Sequence, residues 1–247
     1  MIDYYSPAAE FFDLVGPRHM STSGPAVRAA LAGLDTSRGP VLDVGAGTGL
    51  VTALMAGFLP DAEFVCAEPS PTMRAILTSR VATDPELRRR VTVVPESAQE
   101  LAAGQALPTA LSAAVVFGVA GHLTQDERRQ LWKRLAEALP SGAPIVVELM
   151  GVDRPRSIPP VRMVRELVGA QTYEWWMSGE PSGPRTIHWS TRWKVFRDGD
   201  LVREVEDSYE WETFGVADLV AESGLQHRPL AVSGRGATPE IGVLLAP

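Results

Sequence analysis

The chain has 247 residues, of which 45% are hydrophobic and 21% charged, so it can bury a substantial core, and a globally disordered chain is excluded. Its formal net charge is −7 at pH 7 and its one basic triplet, Arg88–Arg90, is typical of a helix end, so we expect no nucleic-acid partner. The single cysteine, Cys66, cannot build a disulfide or a zinc site within one chain. The sequence has neither an apolar run of membrane-spanning length nor a signal-peptide pattern, so we expect a cytoplasmic protein with no membrane partner.

Strands and helices alternate along the first 150 residues. Five short apolar runs predict strands, and they lie at 41–44, 63–67, 91–94, 113–117 and 144–149. Between them, Ser70 followed by Pro71 marks one helix start, and the capping box Thr124 to Glu127 marks another. This alternation predicts an α/β fold that is Rossmann-like and doubly wound, with a mainly parallel sheet.

The turn after the first strand carries three glycines at alternate positions. Gly45, Gly47 and Gly49 follow the strand residue Asp43, and glycine lets a ligand approach the main chain closely. A helix from about Leu50 would present free N–H groups to that ligand. The spacing differs from the Gly-x-Gly-x-x-Gly of dinucleotide sites, which disfavours a nicotinamide-dependent oxidoreductase.

Glu68 ends the second strand-like run, where an acidic side chain can accept hydrogen bonds from both hydroxyls of a ribose. With the glycine loop, Glu68-Pro-Ser70, Pro95-Glu-Ser-Ala98 and the fourth- and fifth-strand segments 115–122 and 139–148, the chain resembles the class I S-adenosylmethionine-dependent methyltransferases. The resemblance covers roughly residues 36–150 and rests on five motifs in the expected order.

The resemblance implies S-adenosylmethionine as the cofactor and assigns a set of residues to it. These are Asp43, Gly45, Ala46, Gly47, Thr48, Gly49, Glu68, Pro69, Met73, Glu96, Ser97, Ala98, Phe117 and Gly118. The glycine loop would face the methionine part of the cofactor, Glu68 the ribose and residues 96–98 the adenine. For four of the assigned residues a purely structural role stays open, namely helix capping by Asp43 or Ser97, a turn at Thr48 and core packing of Met73.

The end of the fourth strand indicates the kind of reaction. Residues 117–120 lack the Asn-Pro-Pro-Tyr pattern of enzymes that methylate nucleic-acid bases, and they lack the carboxylate that holds a divalent ion in metal-dependent relatives. We therefore expect metal-independent methyl transfer, in which placing the acceptor supplies most of the catalysis. His122 follows the strand and is a candidate base, with a helix-entry histidine bonded to the backbone as the alternative.

An aromatic segment at the N-terminus resembles the lid helix of small-molecule methyltransferases. It contains Tyr4, Tyr5, Phe11 and Phe12, and the resemblance places Tyr5 near the cofactor. If the acceptor is an indole, His122 or Tyr5 would help to remove or bind its N–H proton. The alternative is that these rings only pack the helix onto the sheet.

A second aromatic segment follows the fifth strand. Residues 161–168 read as a helix, and Asp198-Gly199 predicts a hairpin with apolar residues at odd positions. We expect Trp193, Tyr209 and Trp211 to be mainly structural. The residues expected to face the substrate are Tyr4, Phe12, His19, Glu148, Tyr173, Trp175 and Trp176. For His19 and Glu148 a structural role is the alternative.

Together the patterns divide the chain into an N-terminal helical lid (1–35), a cofactor-binding core (36–150), an antiparallel hairpin extension (151–212) and a final helix and strand of the core (213–247). We predict transfer of a methyl group to a small aromatic metabolite. A fainter similarity to bacterial indole C-methyltransferases favours an indole. O- or N-methylation of another aromatic natural product, a cyclase or binding protein of this fold, and a homodimer all stay open.

Overall fold

The computed structural model describes residues 6–104, 107–230 and 240–247. Tyr4 and Tyr5, which the sequence assigned to the substrate and to the reacting centre, lie outside the described residues. Within the described part of the chain, no helix is long and apolar enough to cross a membrane.

A central sheet of seven strands forms the core of the protein. Its strands, in spatial order, are β10 (Gln226–His227), β11 (Glu240–Leu245), β5 (Pro144–Leu149), β4 (Ala113–Val116), β1 (Val41–Val44), β2 (Phe64–Ala67) and β3 (Val91–Val94). The first five strands along the chain run parallel, and β11 is antiparallel to β5. Strands β1, β4 and β5 are buried along their whole length, because apolar clusters cover both faces of the sheet. The predicted α/β fold with a mainly parallel sheet is confirmed.

Helices fill the connections between the parallel strands, and one further helix precedes β1 and another lies between β5 and β10. They are α1 (Phe12–Ala30), α2 (Leu50–Ala56), α3 (Pro71–Thr83), α4 (Pro85–Arg90), α5 (Ala98–Ala102), α6 (Gln125–Ala138) and α7 (Val216–Ser223). The predicted start signals are confirmed, since the Ser70 side chain accepts from the Met73 amide and Thr124 forms a capping box with Glu127. Helix α1 follows a short 3-10 turn, Ser6–Phe11, and packs against α2, β5 and β11.

A second sheet of four antiparallel strands follows β5. It consists of β6 (Ile158–Val168), β7 (Gln171–Pro181), β8 (Thr186–Arg197) and β9 (Asp200–Glu212). The predicted hairpin is confirmed, because Asp198 (φ 53°) and Gly199 (φ 93°) form its two-residue turn in the left-handed region.

The prediction of a helix at residues 161–168 is wrong, because they belong to β6. In this stretch only Val164 is buried, so the segment has no apolar helical face to cover. Its hydrogen-bonding groups instead pair along β7, with register shifts on either side of Val161 and Arg162.

Candidate active site

The glycine loop leaves one open position next to the main chain. Gly45 (φ 68°) and Gly47 (φ 57°) both take left-handed backbone angles that favour glycine. A Cβ at Gly45 would lie 2.2 Å from Cγ2 of Val119, whereas a Cβ at Gly47 would meet no atom within 4 Å. Gly45 is therefore needed for packing against the end of β4, and Gly47 borders free space that a ligand can enter.

The Glu68 carboxylate ties this loop to the end of β2. The Gly47 amide donates to Glu68 Oε2 at 2.8 Å, and the Ser70 amide donates to Oε1 at 2.8 Å. The side chain is almost fully buried. Because each carboxylate oxygen has a second lone pair, Glu68 can also accept hydrogen bonds from two hydroxyl groups of a ligand.

Glu96, just after β3, holds a buried carboxylate oxygen that has no hydrogen-bond partner among the described residues. Leaving such an atom unsatisfied costs about 1–3 kcal/mol, so it indicates a missing donor such as an exocyclic amine of a nucleobase. The neighbouring Ser97 has the structural role left open by the sequence. Its Oγ accepts from the Glu100 amide at 3.2 Å, and its own amide donates to Glu100 Oε2 at 2.7 Å.

Asp43 of β1 stabilises the junction between β1 and α2 through a buried hydrogen bond. Its Oδ2 accepts a hydrogen bond of 2.5 Å from the Thr52 hydroxyl, which also lies 3.1 Å from Cys66 Sγ. Burial raises the pKa of Asp43 to about 6 and also raises the pKa of the Cys66 thiol. Both groups anchor α2 to the sheet.

A polar network that the sequence analysis missed attaches α1 to the glycine loop. The Thr48 hydroxyl donates to Asp13 Oδ1 at 2.6 Å, and Arg80 of α3 pairs with Asp13 Oδ2 at 2.5 Å. Arg80 Nε also donates to the Thr48 carbonyl at 2.8 Å. Thr48 therefore makes a contact with α1 rather than stabilising its own turn. The one signal in the sequence was an acidic residue in the first turn of a helix, which is too common to identify the contact.

The remaining cofactor candidates surround the same edge of the sheet. Ala46, Met73, Ala98 and Phe117 are buried. Gly118 (φ 63°) is a second position where a Cβ would meet no atom within 4 Å. Pro69 contributes a carbonyl that accepts from Arg74 at 3.0 Å.

His122 lies in a 3-10 turn after β4 and packs on the second sheet. Its ring centroid is 5.2 Å from that of Tyr209 and 4.9 Å from that of Trp211, and it donates to the Glu210 carbonyl. Burial lowers the pKa of His122 to about 4, so the ring is neutral at neutral pH. This geometry corresponds to the alternative in which the histidine bonds to the backbone; its role as a base stays a prediction.

A second histidine, which belongs to α1, contacts a carboxylate near the end of β5. His19 Nε2 of α1 is 2.7 Å from Glu148 Oε1, and the Ser23 hydroxyl donates to the same oxygen at 2.6 Å. Burial alone would lower the pKa of His19, but the hydrogen bond and charge of Glu148 outweigh it, so the pKa is raised. The structure thus brings together two residues that the sequence had proposed separately.

The aromatic residues of the second sheet divide between its two faces. Trp193 stacks on Trp175 with centroids 5.6 Å apart, and on Phe11 with centroids 4.9 Å apart. Tyr173 and Phe12 are partly buried in the same cluster. This face is turned toward the N-terminal helix and, through Tyr209 and Trp211, toward His122.

Trp176 lies on the opposite face from Trp175, and contact of either ring with substrate stays a prediction. Its indole N–H donates to Glu174 Oε2 at 2.9 Å, and Arg162 and Lys194 lie 5.8 Å and 5.9 Å from its ring centroid. Successive residues of a strand point to opposite faces, so these two neighbours cannot line one pocket.

Comparison with known protein families finds one match, which lies within the first 150 residues. Residues 41–142 match a family profile described as a methyltransferase domain. No curated protein matches the sequence.

Three solved structures share the fold over nearly the whole chain. DesVI of Streptomyces venezuelae is 18% identical, with a TM-score of 0.72 and 100% of both chains covered. CalS10, described as an amino pentose methyltransferase from Micromonospora echinaspora, is 18% identical with a TM-score of 0.66, covering 94% of this chain and 91% of the other. KedS8, described as a sugar N-methyltransferase from Streptoalloteichus sp., is 17% identical with a TM-score of 0.68, covering 96% and 91%. At these identities the likeness shows the class I methyltransferase fold.

Proposed function

We propose that this chain, in which residues 41–142 match a methyltransferase domain, uses S-adenosylmethionine to methylate an amino group of a small-molecule natural product. The observation that carries the cofactor half of the proposal is the unpartnered, buried oxygen of Glu96 at the edge that also holds Glu68 and the open position of Gly47.

The residues at this edge match the cofactor because they offer hydrogen-bond acceptors for its hydroxyl and amino groups and leave open space beside the main chain. Glu68 would accept from the ribose hydroxyls and Glu96 from the adenine amine, while Gly47 and Gly118 leave room for the methionine part. When bound, S-adenosylmethionine supplies an electrophilic methyl group on a positively charged sulfur. The protein then contributes placement of the acceptor, which is worth most in an in-line displacement.

Two observations support an amine as the acceptor. CalS10 and KedS8, which have the same architecture, are described as acting on an amino pentose and on a sugar nitrogen. In this chain, the end of β5 carries the buried carboxylate of Glu148 together with His19, a pair that suits a substrate carrying a proton on nitrogen.

A second candidate is methylation of a planar aromatic acceptor, including C-methylation of an indole. It is favoured by the partly buried ring of Trp175, which already stacks on Trp193 and lies on the inward face of the second sheet. Such stacking contributes roughly 0.5–1.5 kcal/mol beyond area burial.

Tryptamine separates the two candidates because it carries both an indole ring and a primary amine. The protein is incubated with methyl-deuterated S-adenosylmethionine and with tryptamine, a methyl 3-amino-3-deoxyglucoside or the parent methyl glucoside, and mass spectrometry locates the label. We expect label on nitrogen and none on the parent glucoside. Label on an indole carbon would replace the first candidate by the second. If S-adenosylhomocysteine did not raise the thermal unfolding temperature of the protein, the cofactor assignment would be contradicted.

We further propose that two copies associate through the edges of the second sheet. Both edge strands expose large apolar side chains, Val161, Met163 and Leu167 on β6 and Leu201 and Val202 on β9. Edge strands that expose their backbone groups and apolar side chains are surfaces on which another chain can pair. Light scattering should show a dimer for the native chain and a monomer for Leu167→Glu; a native monomer would contradict the proposal.

A further inference from the structure

Helix α1 and strand β5 are joined by a histidine–carboxylate pair outside the cofactor-binding loop. His19 Nε2 lies 2.7 Å from Glu148 Oε1, and the Ser23 hydroxyl holds the same oxygen at 2.6 Å. Val147, the neighbour of Glu148 in β5, pairs with Val116, the last residue of β4. The pair therefore lies at the carboxyl edge of the parallel sheet, where ligands of such sheets bind.

The pair has one buried end and one accessible end. The Glu148 side chain is 7% exposed, whereas the His19 side chain is 38% exposed. With Nε2 bonded to the carboxylate, Nδ1 is the remaining ring nitrogen, and no hydrogen bond within the described part of the chain involves it. A carboxylate that accepts from Nε2–H fixes the tautomer in which Nδ1 is a proton acceptor.

We propose that His19 is the base that removes the proton from the methyl acceptor. Glu148 is the residue that orients the His19 ring and stabilises its protonated form. The inference rests on the proposed function. The acceptor's lone pair forms the new bond to the methyl carbon while the carbon–sulfur bond breaks and sulfur keeps that electron pair. The proton of the acceptor passes to Nδ1 of His19, and the imidazolium is stabilised by Glu148.

Electrostatics favour His19 over His122 for this role. Despite burial, Glu148 raises the pKa of His19 above its ordinary value, which suits acceptance of a proton from an amine. Burial lowers the pKa of His122 to about 4, and its ring donates to a carbonyl. On the same helix, Arg18 is directed away to the Met163 carbonyl at 3.0 Å and Asp13 is paired with Arg80, so Glu148 is the charged group that bonds to His19.

The chain offers a matched control in His188 and Glu210. These residues form a second histidine–carboxylate pair, with Nδ1 2.8 Å from Oε1, but on the outward face of the second sheet. His188→Gln removes the same chemistry from a side chain that is 42% exposed on that outward face.

The first test needs no substrate. Nuclear magnetic resonance of the imidazole follows the titration of His19, identified by His19→Gln, in complexes with S-adenosylhomocysteine and with sinefungin, whose charged amine replaces the transferable methyl group. If His19 faces the reacting centre, its pKa should be lower with sinefungin by about 0.5 or more, because a nearby positive charge disfavours the imidazolium. His188 should not respond. Equal pKa values of His19 in the two complexes would overturn the proposal, whereas failure to bind either compound would overturn the proposed function instead.

The second test uses methyl transfer to tryptamine. His19→Gln should lower kcat by about 10²–10⁴-fold while S-adenosylhomocysteine binds as in the native chain, and His188→Gln should leave kcat unchanged. Glu148→Gln removes the charge that raises the pKa of His19, so the acidic limb of kcat/KM should move to lower pH. If the role of Glu148 were purely structural, Glu148→Gln would lower kcat/KM at every pH without shifting its acidic limb. Full turnover in His19→Gln would show that another group takes the proton.

Discussion

Trp211 rests its indole directly on the backbone of Gly121, since a Cβ on that glycine would lie 2.0 Å from the ring. The contact joins β9 to the turn that follows β4. It also places His122 between Trp211 and Tyr209, with ring centroids 4.9 Å and 5.2 Å away. The second sheet is therefore held against the cofactor edge at a point where no side chain fits.

We expect Gly121→Ala to destabilise the protein through overpacking. Trp211 is buried and its ring cannot move aside freely, so the cost should be about 1–3 kcal/mol. For a chain of this size, thermal unfolding should then begin roughly 2–4 °C lower for each kcal/mol. Gly215→Ala is the control, because its Cβ would approach no atom closer than 3.7 Å. Equal melting temperatures for the two variants would show that Trp211 repacks without cost.

Glu96→Ala should weaken cofactor binding without weakening the fold. The variant removes an acceptor that the described residues leave unsatisfied, so the free energy of unfolding of the apo protein should stay the same or rise. The affinity for S-adenosylhomocysteine, measured by calorimetry, should fall by about 1–3 kcal/mol. Glu63→Ala, at an exposed position before β2, should change neither quantity. Unchanged affinity in Glu96→Ala would remove Glu96 from the cofactor site.

The buried ring of His122 should make stability depend on pH. Its pKa is lowered to about 4 in the folded chain, against 6.5 when exposed. Between these values the unfolded chain binds a proton that the folded chain does not, so stability falls as the pH drops from about 6.5 to 4. Relative to His122→Gln, the native chain should lose on the order of 3 kcal/mol across this window in denaturant titrations. The control is His227→Gln, at an exposed position. If the free energy of unfolding changed equally with pH in the native chain and in His122→Gln, the argument from burial would be contradicted.

Methyl transfer should survive chelation. Residues 117–119 carry no carboxylate, and no group of three or more His, Cys, Asp or Glu in the described ranges could hold a metal ion. We therefore expect the same turnover of tryptamine with and without EDTA. Activity that disappears with EDTA and returns with magnesium would show that a metal takes part.

The features that could be predicted from the sequence are those fixed by residues close together along the chain. Strands β1 to β5 are short, mainly apolar runs, and the hairpin turn Asp198-Gly199 needs two left-handed residues that its own composition supplies. The glycine loop and Glu68 could be found for the same reason, since each lies at the end of a predicted strand.

Contacts between distant segments could not be predicted in this way. His19 and Glu148 are 129 positions apart, and Asp13 and Arg80 are 67 apart, so no periodicity or spacing relates them. The stretch 161–168 was mistaken for a helix because valines at 161, 164 and 168 also match a helical period, and only the partner strand β7 decides between the two.

The adjacent residues Trp175 and Trp176 provide the sharpest test of which face of the second sheet binds the acceptor. Trp175 belongs to the inward cluster with Trp193, whereas Trp176 bonds to Glu174 on the outward face. Trp175→Ala should raise KM for tryptamine roughly 2- to 10-fold with little change in kcat, because it removes stacking shared by the ground and transition states. Trp176→Ala should leave KM unchanged. Thermal unfolding of both variants controls for lost packing, since Trp175 also contributes to the cluster around Phe11. If Trp176→Ala raised KM as much as Trp175→Ala, the acceptor would not bind at the inward face.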